Sequence, residues 1–176
     1  MNVAVKTELK GFEDLATLFP RATASALNKT IAQAKTRASS DLREVYNIKK
    51  SDIDATMSIR KATVTQLFAM LRTTGKRIAL SKFGARQVAS GVAVMVKKGA
   101  RKVIRTKFIA TMKSGHIGVY GRKGRARLPI IERSGPSVPQ LFGSRNIIQK
   151  LQTFTTQKLP EILDHEIQFF LSRKNG

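Results

Sequence analysis

The sequence predicts an α+β chain in which long N-terminal and C-terminal helices pack on a central antiparallel sheet. Three observations predict it. Apolar residues recur every three or four positions over residues 20–46 and again over 144–173, as in helices with one buried face. Between them, residues 57–142 change to short apolar runs punctuated by glycine and proline, which read as strands and turns. The length of 176 residues fits a single domain, long enough to bury about two thirds of its unfolded surface. Within residues 1–176 the expected order is an arm or short element over 1–19, helix over 20–56, a strongly basic and mainly β region over 57–142, and helix over 143–174.

Val3, Val5 and Leu9 fit a short strand or an arm equally well. Pro20 suits the first turn of a helix, where its missing amide hydrogen costs nothing, and Leu27, Ile31, Ala34, Ala38, Leu42 and Val45 continue the apolar face. Lys29, Lys35, Arg37 and Arg43 give that helix a basic face. Ser51-Asp52-Ile53-Asp54 opens a second, short helical turn, with Ser51 as its cap and both aspartates near the positive end of the helix dipole. A metal site on the Asp-x-Asp pair is the other reading, and it lacks a nearby third ligand.

Leu67, Ala69 and Leu71 alternate with their neighbours, and Thr73-Thr74-Gly75-Lys76 supplies a turn before Ile78 and Leu80, so residues 57–83 predict a hairpin. Gly91 to Gly99 encloses the clearest strand. Residues 101–113 fit either a strand or a helical turn. Gly115 to Pro139 holds five of the twelve glycines and three of the five prolines. It reads as two strands, Ile117-Val119-Tyr120 and Leu128 to Arg133, joined by a basic loop from Gly121 to Arg127 and stopped by Gly135-Pro136. Ser144 caps the last helical region. Pro160 is expected to divide that region into helices near 144–158 and 160–173.

Charge is distributed unevenly. The formal net charge is +22, and residues 55–131 contain 18 Lys and Arg and no acid. Such a region favours an acidic partner, either nucleic acid or an acidic protein face. Arg122-Lys123-Gly124-Arg125-Ala126-Arg127 places four cations in six residues, with glycines that let backbone approach a phosphate. Arg101, Lys102, Arg105, Arg122, Lys123, Arg125 and Arg127 are therefore the candidate contacts with DNA or an acidic partner. A solvated hairpin tip is the plain alternative.

Catalytic and cofactor chemistry finds little to build on. There is no cysteine and there are two distant histidines, so neither a thiolate site nor a zinc site is expected. His116 at a strand start reads as structural or solvent-facing, and His165 lies between Asp164 and Glu166 on a helix. Ser81-Lys82 has no geometry for a dyad if the two side chains point apart. The glycines at 115, 118, 121 and 124 do not make the dinucleotide fingerprint, and Gly75-Lys76 is followed by Arg77, not by serine or threonine. No catalytic residue, metal or cofactor is expected. The absence of a signal pattern or a long apolar run predicts assembly in a reducing cytoplasm without membrane insertion.

The order GHxGVYxRxGxxRLPIxExxGPSVPxx, from Gly115 to Leu141, resembles the minor tail protein Z family of long-tailed bacteriophages and prophages. Ala26-Leu27-Asn28-Lys29-Thr30, Arg43 to Ile48, and Gly91-Val92 to Gly99-Ala100 share the resemblance, which covers roughly residues 20–170. It implies a structural virion protein without an active site, acting in tail completion, head–tail joining and DNA passage at the head-proximal end of the tail. It implies a homo-oligomeric ring, hexameric, that touches the tail tube and terminator proteins, the head–tail connector proteins and genome DNA. The resemblance names no functional residue. Charge alone supports a different class, a non-sequence-specific nucleic-acid-binding protein.

Overall fold

The computed structural model of the chain describes residues 3–5 and 20–174. Strand β1 (Val3–Val5) precedes helix α1 (Pro20–Val45) and the short helix α2 (Lys50–Asp54). Strands β2 (Met57–Arg60), β3 (Met70–Thr73) and β4 (Arg77–Ala79) lead to a 3₁₀ turn at Leu80–Phe83. Then come β5 (Arg86–Val88), β6 (Gly91–Lys97), β7 (Ala100–Arg105), β8 (Lys107–Thr111), β9 (Ile117–Arg122), β10 (Ile130–Glu132) and β11 (Ser134–Ser137). Helices α3 (Val138–Phe142) and α4 (Arg145–Lys174) complete the chain. The expected α+β architecture is present, with N- and C-terminal helices flanking a sheet region. That region is antiparallel throughout and is divided into four small sheets, ordered β1-β3-β2, β5-β6-β7, β10-β9-β8 and β11-β4.

Helices α1 and α4 run antiparallel, since Lys29 pairs with Glu166 and Glu44 with Lys150. Each buries a row of residues spaced by four. Ala22, Ala26, Thr30, Ala34, Ala38 and Leu42 are buried on α1, and Ile147, Leu151, Thr155, Leu159 and Leu163 on α4. Alanines on α1 leave room for the larger side chains of α4 to reach its backbone cylinder. A row with this spacing turns by about 40° per step. Ala26 accordingly packs with Leu159 and Leu163, whereas Ala34, Ala38 and Leu42 join Ile147, Leu151 and the sheet residues Leu71, Val92 and Val119 in the main core. The two threonines in the rows satisfy their hydroxyls internally: Thr30 donates to the Ala26 carbonyl at 2.8 Å and Thr155 to the Leu151 carbonyl at 3.0 Å.

Pro160 does not divide α4. The helix continues through it, because Leu159 and Leu163 on either side are held in the contact with α1, while Pro160 lies on the exposed face. There water can satisfy the carbonyl that loses its amide partner. Ser144 begins the helix through its backbone, its carbonyl accepting from Ile147 and Ile148 at 3.0 and 3.1 Å.

The hairpin expected about the Thr73–Lys76 turn does not form; within residues 57–83 the antiparallel strand pair is β2 with β3. β3 pairs with β2, from Met57↔Thr73 to Arg60↔Met70, and with β1, whereas β4 pairs with β11. Leu71 and Thr73 are buried, so β3 sits between two strands under the helices, and the turn after Thr73 carries the chain away to another sheet. Leu80 opens the 3₁₀ turn, so it does not extend a strand. Residues 101–113 form strand on both sides of a corner at Thr106, whose φ is 58°. Two strands meeting at a corner account for their mixed pattern. Gln87 ties the two neighbouring sheets together: its amide group donates to the Gly91 carbonyl and its oxygen accepts from the Ile109 amide, both at 2.9 Å.

α2 also differs from expectation. Its cap position is Lys49, which makes no side-chain capping bond, and Ser51 is inside the helix. Asp52 pairs with Lys82 at 2.5 Å, and Asp54 accepts from Ser39 at 2.8 Å and pairs with Lys50. The hydrogen bond from Lys50 is the largest influence holding the Asp54 carboxyl below its ordinary value, ahead of partial burial, which opposes it, and of Ser39.

The Gly115–Pro139 stretch folds as the expected strand pair with a basic loop. β9 meets β10 in the register Arg122↔Ile130, Gly121↔Ile131 and Tyr120↔Glu132. Gly135-Pro136 does not stop the chain's extended course, because both residues lie within β11. β11 belongs to a two-stranded sheet, and its register shifts between Ser134 and Ser137. An irregular strand of this kind tolerates a residue with no amide hydrogen. Ser137 and Gln140 then form a reciprocal capping box that starts α3.

A Cβ on Gly135 would lie 2.7 Å from the Phe83 ring, and Phe83 is fully buried. Gly135→Ala is expected to lower stability by about 1–3 kcal/mol, measured by urea denaturation, because the Phe83 ring has no free volume to yield. Glu166 is 3% exposed. Burial pushes its carboxyl up, but hydrogen bonds from Lys29, at 2.5 Å, and from Ser25, with the Lys29 charge, outweigh it and hold the group below its ordinary value. A lowered folded value stabilises the protein above the ordinary glutamate range, and this stability is lost as the pH falls below it. Glu166→Gln is expected to lower the melting temperature at neutral pH and to flatten its decline in acid, as followed by circular dichroism.

Candidate functional site

The basic loop grows out of the β9–β10 ladder. Its base is closed where the Lys123 amide donates to the Pro129 carbonyl at 3.1 Å. Arg122 ends β9, and Lys123, Arg125 and Arg127 follow in the loop, all four exposed. Two cations that sequence reasoning did not single out stand at the same base. Lys107 is the ladder partner of Gly121, and a Cβ on Gly121 would lie 2.7 Å from the Lys107 chain and 3.3 Å from Arg133 Nε. Glycine at 121 therefore lets both side chains cross the strand beside the loop. The register that brings Lys107 to Gly121 depends on β8, the segment whose local pattern fitted strand or helical turn.

Arg101, Lys102 and Arg105 are exposed on β7, an edge strand of its sheet. Successive side chains on a strand point to opposite faces, so Arg101, Val103 and Arg105 share one face and Lys102 and Ile104 the other. The sequence placed the three cations together, and the structure separates Lys102 from the two arginines. Arg105 stands at the Thr106 corner, two residues before Lys107 and therefore on the side of β7 nearer the loop. Arg101 is about 13 Å further along the strand.

Lys102 faces a groove of about 380 Å³ in which Leu80, Val94, Val96 and Ile104 meet Lys97 and Ala100. Among the described residues, none of the seven candidate cations makes an ion pair; the cations that do include Lys29, Arg37, Lys50, Lys82, Lys150 and Lys158. Among the described residues, the lysine and arginine ion pairs thus lie on the helices and the turn that faces them. Charge on β7 and on the loop is left open to solvent.

The acid that closes the basic region is used locally. Glu132 Oε1 lies 2.8 Å from His116 Nε2 across the β9–β10 pair. Burial raises the Tyr120 phenol above its ordinary value, and the nearby Glu132 charge adds to the rise. Phe108 stacks at 6.4 Å from Tyr120 on the neighbouring strand. His116 therefore belongs to a strand-to-strand contact. His165 is exposed, with Nδ1 3.6 Å from the buried Glu166 carboxylate. Ser81 and Lys82 lie in the 3₁₀ turn, and Lys82 is committed to Asp52. Among the described residues there is no group of three or more His, Cys, Asp or Glu able to hold a metal ion, and no helix is long and apolar enough to cross a membrane.

What the geometry offers is a set of solvated cations on an edge strand and on a hairpin loop, anchored to a rigid core. Comparison with curated proteins and with solved structures finds no match. A family profile matches residues 4–174, nearly the whole chain, and describes prophage minor tail protein Z. The chain belongs to the prophage minor tail protein Z family and is a structural protein of the phage tail, a component of the virion that works in contact with other tail components.

Proposed function

We propose that the protein is a non-catalytic tail completion component at the head-proximal end of the tail, assembled as a ring and needed for head–tail joining and passage of DNA. Family membership supports a tail role. The observation that carries the finer reading is the set of exposed cations on β7 and the β9–β10 loop, which have no ion pair among the described residues. Arg122, Lys123, Arg125 and Arg127, with Arg101 and Arg105, contact phosphate without reading sequence. Each neutralised phosphate releases counterions, so binding weakens as salt rises. Repetition of this surface around a ring multiplies the field that steers the genome. Open strand edges supply the contacts between copies and with the tube, terminator and connector proteins.

Native mass and electron microscopy at moderate salt test the assembly. A closed ring, or caps on the ends of isolated tail tubes, is the expected result. A monomer that ignores tubes but binds any duplex identifies a nucleic-acid-binding module instead. Replacing Arg122, Lys123, Arg125 and Arg127 together by serine is expected to leave the melting temperature unchanged. It should reduce the slope of log affinity against log salt for duplex DNA by about three to four. An unchanged slope removes the loop from the interface.

A further inference from the structure

The groove over β6 and β7 is an unusual surface for so basic a region. Val94 and Leu80 in its floor are 3% and 5% exposed, and Val96 and Ile104 are half-buried beside them, so the main core opens to the surface here. Lys97 and Lys102 are exposed at its rim, and neither has an ion-pair partner among the described residues. The groove also runs along β7, whose outer side has no partner strand among the described residues. A strand laid against β7 would place every second side chain over the same face as Val94, Lys102 and Ile104.

We propose that β7 accepts, by strand addition, an extended segment of another tail protein whose groove-facing residues, at every second position along it, include both apolar side chains and carboxylates. The apolar side chains of the segment occupy the groove, and its carboxylates meet Lys97 and Lys102. The backbone of the segment satisfies the amides and carbonyls that β6 leaves unpaired on β7. Charge selects the occupant. A second copy of this chain has open edges of its own, such as β10, but β10 is joined directly to the loop holding Arg122, Lys123, Arg125 and Arg127, and pairing it with β7 would crowd like charges. An acidic segment instead neutralises a rim that the chain itself does not neutralise. Val103, 49% exposed on the opposite face with Arg101 and Arg105, stays outside this contact. The edge strand thus serves two partners, phosphate on one face and an acidic strand on the other.

This proposal rests on the reading of the protein as one that docks with other tail proteins. The test uses the full chain and a short peptide that carries valine and glutamate in turn at every second position, with threonine between them, and as controls a polyglutamate of equal charge and the same peptide with lysine in place of glutamate. Hydrogen exchange is expected to slow at β7 amides and not at residues 123–129 when the valine–glutamate peptide is added, and neither control should protect β7. Lys102→Glu, at an exposed side chain without an ion-pair partner, is expected to weaken peptide binding by roughly tenfold in fluorescence anisotropy. The fourfold serine variant of the loop should bind the peptide as the parent does. Equal protection by polyglutamate, protection confined to the loop, or no protection overturns strand addition. A parent chain that caps tail tubes yet leaves β7 exchanging freely with the peptide overturns this inference alone. One that takes up the peptide but neither forms rings nor caps tubes overturns the tail-completion reading alone.

Discussion

The contact between α1 and α4 is the constraint on which the other elements depend. A row of alanines on one helix lets leucines and isoleucines of the other come close, and dispersion and burial along that contact hold the two long helices together. The row also turns as it ascends. Ala26 packs with Leu159 and Leu163 of α4, and Ala34, Ala38 and Leu42 reach the sheets. The helix pair therefore becomes a platform onto which β3, β6 and β9 each insert one or two fully buried side chains, Leu71, Val92 and Val119 among them. A larger residue at Ala34 or Ala38 would be felt by α4 and by the sheets together.

Above this platform, the β region resolves a conflict between cohesion and charge. Small sheets expose much of their surface, and nearly all the side chains of β7 are exposed. Cations can therefore be carried at high density without being buried, at the cost of few apolar contacts per strand. Cohesion comes from a few specific devices: Gln87 bonding across two sheets, Gly121 making room for the Lys107 chain, and Gly135 seating β11 against Phe83. The only acid near the basic loop in sequence, Glu132, faces His116 and Tyr120 and leaves the loop unneutralised.

The legible parts of the sequence were those fixed by local chemistry. Period and the position of Pro20 located α1, bounding glycines located β6, and the basic loop lay where two β-branched runs enclosed it. Pairing was not legible in the same way. Leu71 and its neighbours mark a strand surface, but the choice between β4 and β2 as partner is made by burial beneath helices far away in sequence. Pro160 and Pro136 were read as breaks because their local effect is to remove an amide hydrogen. Each is tolerated where that loss faces water or an irregular edge. For the candidate site, residue type and clustering found seven cations, but the split of Lys102 from Arg101 and Arg105 and the arrival of Lys107 and Arg133 at the loop depend on pleat and register.

The acid-free region also has a consequence for where the folded state is most secure. With 18 Lys and Arg and no acid in residues 55–131, the folded chain gathers like charges that the unfolded chain can spread apart, so self-repulsion is a standing penalty on the isolated molecule. Any polyanion or acidic neighbour that engages the folded surface removes part of that penalty and adds its own binding free energy to the stability of the fold. A neighbour of that kind in the particle couples folding to incorporation, because the subunit then gains stability where it is assembled.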